Sequence, residues 1–121
     1  MPNPYGAPEI DVTEVSAARR DRPGEILFVD VREPFELTLA AINGDDVVLA
    51  PLSELSTRGL DALPAEVREK DREIVVFCHH GIRSAQVTMW LLQQGWSDVR
   101  SMAGGIDVYA QKVDPSVGAY E

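Results

Sequence analysis

Cysteine is nearly absent from this sequence. Cys78 is the only one in 121 residues, which excludes an internal disulfide and a zinc site built from several thiolates. Long hydrophobic runs are absent too: none approaches the ~20 residues a membrane-spanning helix requires. The opening residues, Met1-Pro2-Asn3-Pro4-Tyr5-Gly6, show neither the basic nor the apolar region of a secretory signal. A free thiol without an export signal points to a reducing cytoplasm. Basic residues are scarce: 11 Lys and Arg against 20 Asp and Glu give a formal net charge of −9. That argues against nucleic acid and against an anionic membrane as partners, and solubility is its simplest purpose. There are no repeats and no linker long enough to join a second domain. What is present is 45% apolar content, enough for one domain with its own core. An extended arm is expected over residues 1–8, where three prolines and a glycine cluster, and a single domain over residues 9–121.

The cysteine lies in the stretch around which the chain is organised. Ile74-Val75-Val76-Phe77 is a short apolar run bounded by charge and reads as a strand buried on both faces. Cys78-His79-His80-Gly81-Ile82-Arg83 follows, and then a helical pattern from Ser84 to Gln94. A strand, a tight turn and a helix place the turn at the carboxyl end of a strand, where open α/β sheets bind their ligands. Backbone amides entering a helix lack helical partners and can wrap an anion, with the helix dipole adding to the attraction. Gly81 lets the backbone fold inward without a Cβ clash, and Arg83 brings a permanent positive charge. All of these favour a thiolate at Cys78, and the thiolate is the nucleophile. The alternative is a buried structural cysteine, which the strand, glycine and arginine beside it disfavour.

Other segments follow in order. Ile10 to Arg20 reads as a helix with Thr13 as its N-cap. Asp21-Arg22-Pro23-Gly24 is a turn. Ile26 to Val29 is a second buried strand ending in Asp30-Val31-Arg32-Glu33-Pro34. If it runs parallel to the cysteine strand, Asp30 and Arg32 reach the same rim. They then either tune the loop or pair with each other or cap the next helix, and the structural roles are preferred. Phe35 to Ala41 is a short helix and Val47 to Leu49 a third strand. Ser53 is the N-cap of a helix through Leu60, and a turn or helix begins at Leu63. The mixed charges from Glu66 to Glu73 form a solvated connection. In the helix after the loop, Ala85, Thr88, Met89 and Leu92 should face the sheet, and Gln86, Trp90 and Gln93 should face outward, leaving Trp90 half exposed. Gly95 is placed to stop that helix. Val99 to Met102 is a fourth strand near an edge, Gly104-Gly105 permits close approach to the loop, and a last helix spans Ile106 to Val113.

Four of these segments carry a resemblance. Cys78-His79-His80-Gly81-Ile82-Arg83-Ser84 resembles the active-site loop of the rhodanese family of sulfurtransferases, Cys-x-x-Gly-x-Arg-Ser. Val29 to Pro34, Pro51 to Leu55, and Gly95 to Val99 followed by Met102 to Asp107 resemble its other motifs in the right order, so the likeness covers roughly residues 9 to 115. It implies a three-layer α/β/α fold with a mainly parallel sheet of about five strands. The chain departs from the family at Ala40-Ala41-Ile42-Asn43-Gly44-Asp45, where Ala41 stands in the place of a histidine; that should bear on local packing rather than on chemistry.

The resemblance implies a two-step displacement. Cys78 attacks the sulfane sulfur of thiosulfate or a similar small donor, sulfite leaves, and a persulfide remains; cyanide or a thiol then takes the sulfur. The amides between His79 and Ser84 hold the persulfide, so His79, His80, Gly81, Ile82, Arg83 and Ser84 are the expected substrate-binding set. Asp30 and Arg32 are the expected loop support. No metal or organic cofactor is expected. His79 and His80 could carry protons or contact an anionic donor, but supplying backbone amides is the simpler role. The overall acidity does not suit an anionic donor at long range, so the field at the loop must oppose it. A second reading is a sulfur-carrier or protein-interaction module working with a partner enzyme, with a protein as sulfur acceptor. A third, a phosphatase or arsenate reductase, is disfavoured by loop length. Four residues separate Cys78 from Arg83, and those relatives use a longer loop, wide enough for a tetrahedral oxyanion.

Overall fold

The computed structural model describes residues 3–119. Residues 1 and 2 of the expected arm and residues 120 and 121 of the expected domain lie outside the described residues. Five strands form one sheet: β1 (Glu9–Ile10), β2 (Leu27–Asp30), β3 (Val47–Leu49), β4 (Ile74–Phe77) and β5 (Val99–Met102). Their order is β1-β5-β4-β2-β3, and every pairing is parallel. Parallel neighbours need crossovers: α1 (Val12–Asp21), α2 (Leu52–Arg58) and α3 (Ile82–Gln93) lie on three of them, a 3-10 turn (Pro34–Thr38) stands between β2 and β3, and α4 (Gly105–Lys112) follows β5 and packs on the sheet. The result is the expected three-layer α/β/α arrangement.

The two central strands are buried along their whole length, which is why they read as unbroken apolar runs. Their side chains alternate between two cores. Leu27, Val29, Ile74, Val76 and Cys78 enter one core with Leu55 of α2 and Val87 and Leu91 of α3. Phe28, Val75 and Phe77 enter the other with Val12 and Val15 of α1 and Ile106 and Tyr109 of α4. Because β2 and β4 run side by side with Asp30 opposite Phe77, the segments after both strands emerge on one rim.

Several local expectations are corrected. Ile10 is in β1, paired with Met102, and not in a helix. The helix starts at Val12, and its N-cap is Asp11 rather than Thr13: the Asp11 carboxylate accepts from the Thr13 amide at 2.8 Å. Sheet pairing has claimed Ile10, and the Asp11 carboxylate, standing directly before the helix, takes the cap. The helix expected from Phe35 is a 3-10 turn, Pro34–Thr38. Ser53 does not cap α2; Pro51 occupies that position, and Ser53 instead donates its hydroxyl to Glu33 Oε1 at 2.6 Å. Helix α2 ends at Arg58 and passes into a 3-10 turn, Gly59–Ala62. In α3 the buried face is Ser84, Ala85, Val87, Thr88 and Leu91, with Met89 and Leu92 only partly buried. Trp90 is half-buried and Gln86 and Gln93 are exposed, as expected. Gly95 ends α3 with φ +107°; the amides of Gly95 and Trp96 return to the carbonyls of Leu92 and Leu91, the double closure of a Schellman motif.

Before β1, Asn3 closes a turn by accepting from the amides of Tyr5 and Ala7. Ala7 is buried, and the Pro8 carbonyl accepts from the Ser101 amide.

Candidate active site

The loop starts where β4 stops. Cys78 is 1% exposed, and its sulfur is surrounded by donors. The Gly81 amide points at Sγ from 3.1 Å and the Ser84 amide from 3.4 Å. The Ser84 hydroxyl is also 3.4 Å from Sγ and lies 2.7 Å from the hydroxyl of Ser101 on β5. The inward turn depends on Gly81, which has φ +95°. A Cβ there would be strained in that conformation and would meet the Gly104 backbone nitrogen at 3.1 Å. Helix α3 begins at Ile82, two residues earlier than the pattern suggested, so the Ser84 amide belongs to its first turn and is free to serve the sulfur.

The loop is clamped from the opposite side by the start of α4. Ile106 and Asp107 donate their amides to the carbonyls of Cys78 and His79, at 2.8 and 3.1 Å. This fit requires Gly105, at φ +65°: a Cβ there would run into the His79 carbonyl oxygen and lie 2.5 Å from that of Cys78. The close approach expected at Gly104-Gly105 is therefore real, with Gly105 touching the loop.

Arg83 meets a partner the sequence reasoning missed. Its guanidinium forms a fork-to-fork pair with Glu36, Nη1–Oε2 2.7 Å and Nη2–Oε1 2.8 Å. Glu36 Oε2 also accepts from the Glu33 amide at 2.8 Å, in a capping box that closes the 3-10 turn. The charge expected to act on Cys78 is thus met by a largely buried carboxylate, and Arg83 fastens the loop to the turn after β2. The Glu33/Glu36 spacing carried that signal, because a capping box at a strand end fixes a carboxylate in place.

Asp30 and Arg32 form a buried pair. Arg32 donates Nη2 to Asp30 Oδ2 at 2.7 Å and Nε to Oδ1 at 2.9 Å, and gives Nη1 to the Ala40 carbonyl at 2.7 Å. Its guanidinium lies 6.0 Å from the centroid of the Phe77 ring, directly before Cys78. These bonds tie β2 to the segment where the chain departs from the family. There Ala40 is buried, and the Ala41 amide donates to the Val117 carbonyl at 2.9 Å.

His79 and His80 stack on each other with ring centroids 3.7 Å apart. His80 Nδ1 lies 3.8 Å from Asp107 Oδ2 on α4. Partial burial, and then the neighbouring His80, hold the His79 pKa below the ordinary imidazole value. A neutral His79 is a poor anchor for an anion at neutral pH. Ile82 projects outward and is 48% exposed.

The comparisons with known proteins agree with this geometry. The family model for the Rhodanese-like domain matches residues 12–112, and the chain belongs to that family. It is 38% identical over 114 residues to the Rhodanese-like/PpiC domain-containing protein 12, chloroplastic, of Arabidopsis thaliana. That match covers 93% of this chain but only 37% of the plant protein. It is 33% identical over 109 residues to a protein named Sulfurtransferase from Allochromatium vinosum, covering 90% of this chain and 94% of that one. The crystal structure of a rhodanese-related protein from Thermoplasma volcanium superposes with a TM-score of 0.69 at 27% identity, over 88% of this chain and 93% of the other. The rhodanese fold is therefore shared, and the family includes named sulfurtransferases.

Proposed function

We propose that this protein is a sulfurtransferase that carries sulfane sulfur on Cys78. The observation that carries the reading is the pair of amides converging on one buried sulfur, Gly81 and Ser84, at 3.1 and 3.4 Å. Donors aimed at a sulfur stabilise its anion, and they suit a persulfide as well as a thiolate. In the first half-reaction the Cys78 thiolate attacks the outer sulfur of thiosulfate; a new S–S bond forms, the donor's S–S bond breaks, and sulfite departs with that electron pair. In the second, cyanide or a thiolate attacks the outer sulfur and releases the Cys78 thiolate. His79 to Ser84 supply the cradle, and Arg83 and Glu36 hold its shape. Asp30 and Arg32 fix the strand end beneath it. A lone reactive thiol suits a reducing compartment, the cytoplasm in our reading.

Parallel initial-rate plots with thiosulfate and cyanide test this mechanism, because a covalent intermediate gives ping-pong kinetics. Intersecting plots, or activity surviving Cys78→Ser, would sink it. A carrier acting with a partner is the second reading, favoured by the plant relative in which a rhodanese-like domain is part of a longer protein. It predicts slow turnover with thiosulfate and rapid loading from a protein persulfide.

A further inference from the structure

We propose that Ser101 is a positioning residue for Cys78: its hydroxyl donates to Ser84 Oγ and commits the Ser84 hydrogen to the sulfur. This deepens the reading of Cys78 as the nucleophile and rests on it. Three buried groups from three elements meet here. Cys78 is 1% exposed, and Ser84 of α3 and Ser101 of β5 are both 0% exposed. Ser84 Oγ stands 3.4 Å from Sγ and 2.7 Å from Ser101 Oγ. Among the described residues the Ser101 hydroxyl has no other hydrogen-bond partner.

The hydrogens can be counted. With a neutral thiol the trio holds one S–H and two O–H groups for its two side-chain contacts, so one buried hydrogen lacks an acceptor within the cluster. With a thiolate, two hydrogens serve two contacts: Ser101 O–H to Ser84 Oγ, and Ser84 O–H to S⁻. Ionisation completes the cluster and exchanges a weak S–H donor for a charge-assisted O–H···S⁻ bond. The same count holds for a persulfide anion. Ser84 alone could turn its hydrogen toward either neighbour. Ser101 has nowhere else to donate, which removes that freedom and polarises the Ser84 hydroxyl toward the sulfur.

The charged groups around the loop come from other elements. His79, His80 and Arg83 lie on the loop and α3, Glu36 on the 3-10 turn, Asp107 on α4, and the Asp30–Arg32 pair at the end of β2. Strand β5 brings only Arg100, which is held by Glu73 at 2.7 Å. Substitution of Ser101 leaves all of these side chains in place.

The test is the ultraviolet absorbance of the thiolate followed against pH, with Cys78→Ser as the blank; a single cysteine makes the signal site-specific. Ser101→Ala is expected to move the titration upward by about 0.5–1 unit, a roughly three- to tenfold loss of thiolate below the midpoint. In a Ser84→Ala background the same substitution is expected to add nothing, because Ser101 acts through Ser84. That double variant removes both buried hydroxyls together, so no hydroxyl is left unpaired and folding is retained. An unchanged titration in Ser101→Ala, or an equal shift in both backgrounds, overturns the proposal. Sulfur uptake from thiosulfate is read separately by mass. A shifted titration without uptake in wild type supports the relay and defeats thiosulfate as the donor; uptake with an unmoved titration overturns the relay and leaves the sulfur-transfer reading standing.

Discussion

Glu36 is the residue on which the loop's shape most depends, and no pattern of hydropathy exposes it. Its carboxylate joins the Arg83 guanidinium and the Glu33 amide. Glu36→Gln removes the charge but keeps the size, breaking the fork-to-fork ion pair with Arg83. The expected cost is about 1–2 kcal/mol, below that of breaking a fully buried pair because Arg83 remains partly exposed. Denaturant unfolding measures it, and sulfur transfer should slow in the same variant as the loop loosens. His79 makes a different kind of prediction. Burial disfavours its charged form, so near its titration the folded chain binds fewer protons than the unfolded chain. Stability should therefore rise with pH through that range and fall as pH drops below the ordinary imidazole value. Unfolding curves recorded on either side of it should show this slope reduced in His79→Asn; an unchanged slope would remove His79 from the account.

The contact between α4 and the loop is backbone on backbone, which leaves no room for adjustment. Gly105→Ala sets a methyl group against the Cys78 and His79 carbonyls at a positive φ, and should destabilise the protein by about 2–4 kcal/mol while displacing the loop. Gly24→Ala is the control. It also sits at positive φ (+83°) but has nothing within 4 Å of the added carbon, so only about 1 kcal/mol is expected. Thermal unfolding of the two variants separates steric collision from backbone preference. The same elements show what sequence reasoning could and could not reach. Buried parallel strands have apolar side chains on both faces, so β2 and β4 announced themselves, and the Cys-to-Arg spacing announced the loop. Strand β1 has only two residues and is defined by its neighbour β5, so Ile10 carried no local sign of it. In α3 the apolar residues nearly encircle the helix, and Val87 and Leu91 could not be ranked above Met89 and Leu92 by periodicity alone. Ser53 looked like a cap because serine is a favoured N-cap residue; its partner, Glu33, lies 20 residues away. Ser101 was one polar residue in a strand, and its meaning depends on Ser84 standing opposite.

The whole molecule is strongly acidic, with a formal net charge of −9, and the cation nearest the loop is paired with Glu36. An anionic sulfur donor therefore approaches against the overall field. Salt screens such repulsion over about 10 Å at moderate ionic strength. The second-order rate of sulfur uptake from thiosulfate should consequently increase with added inert salt, where an electropositive steering surface would make it fall. Stopped-flow measurement across a salt series distinguishes the two. No helix among the described residues is long and apolar enough to cross a membrane. The central claim is that Cys78 becomes a persulfide, and intact mass after incubation with thiosulfate tests it most directly. The account predicts a gain of one sulfur atom on the wild type, reversed by cyanide and absent from Cys78→Ser. An unchanged mass, with the Cys78 thiol still open to alkylation, would contradict thiosulfate as the donor and turn attention to a protein persulfide.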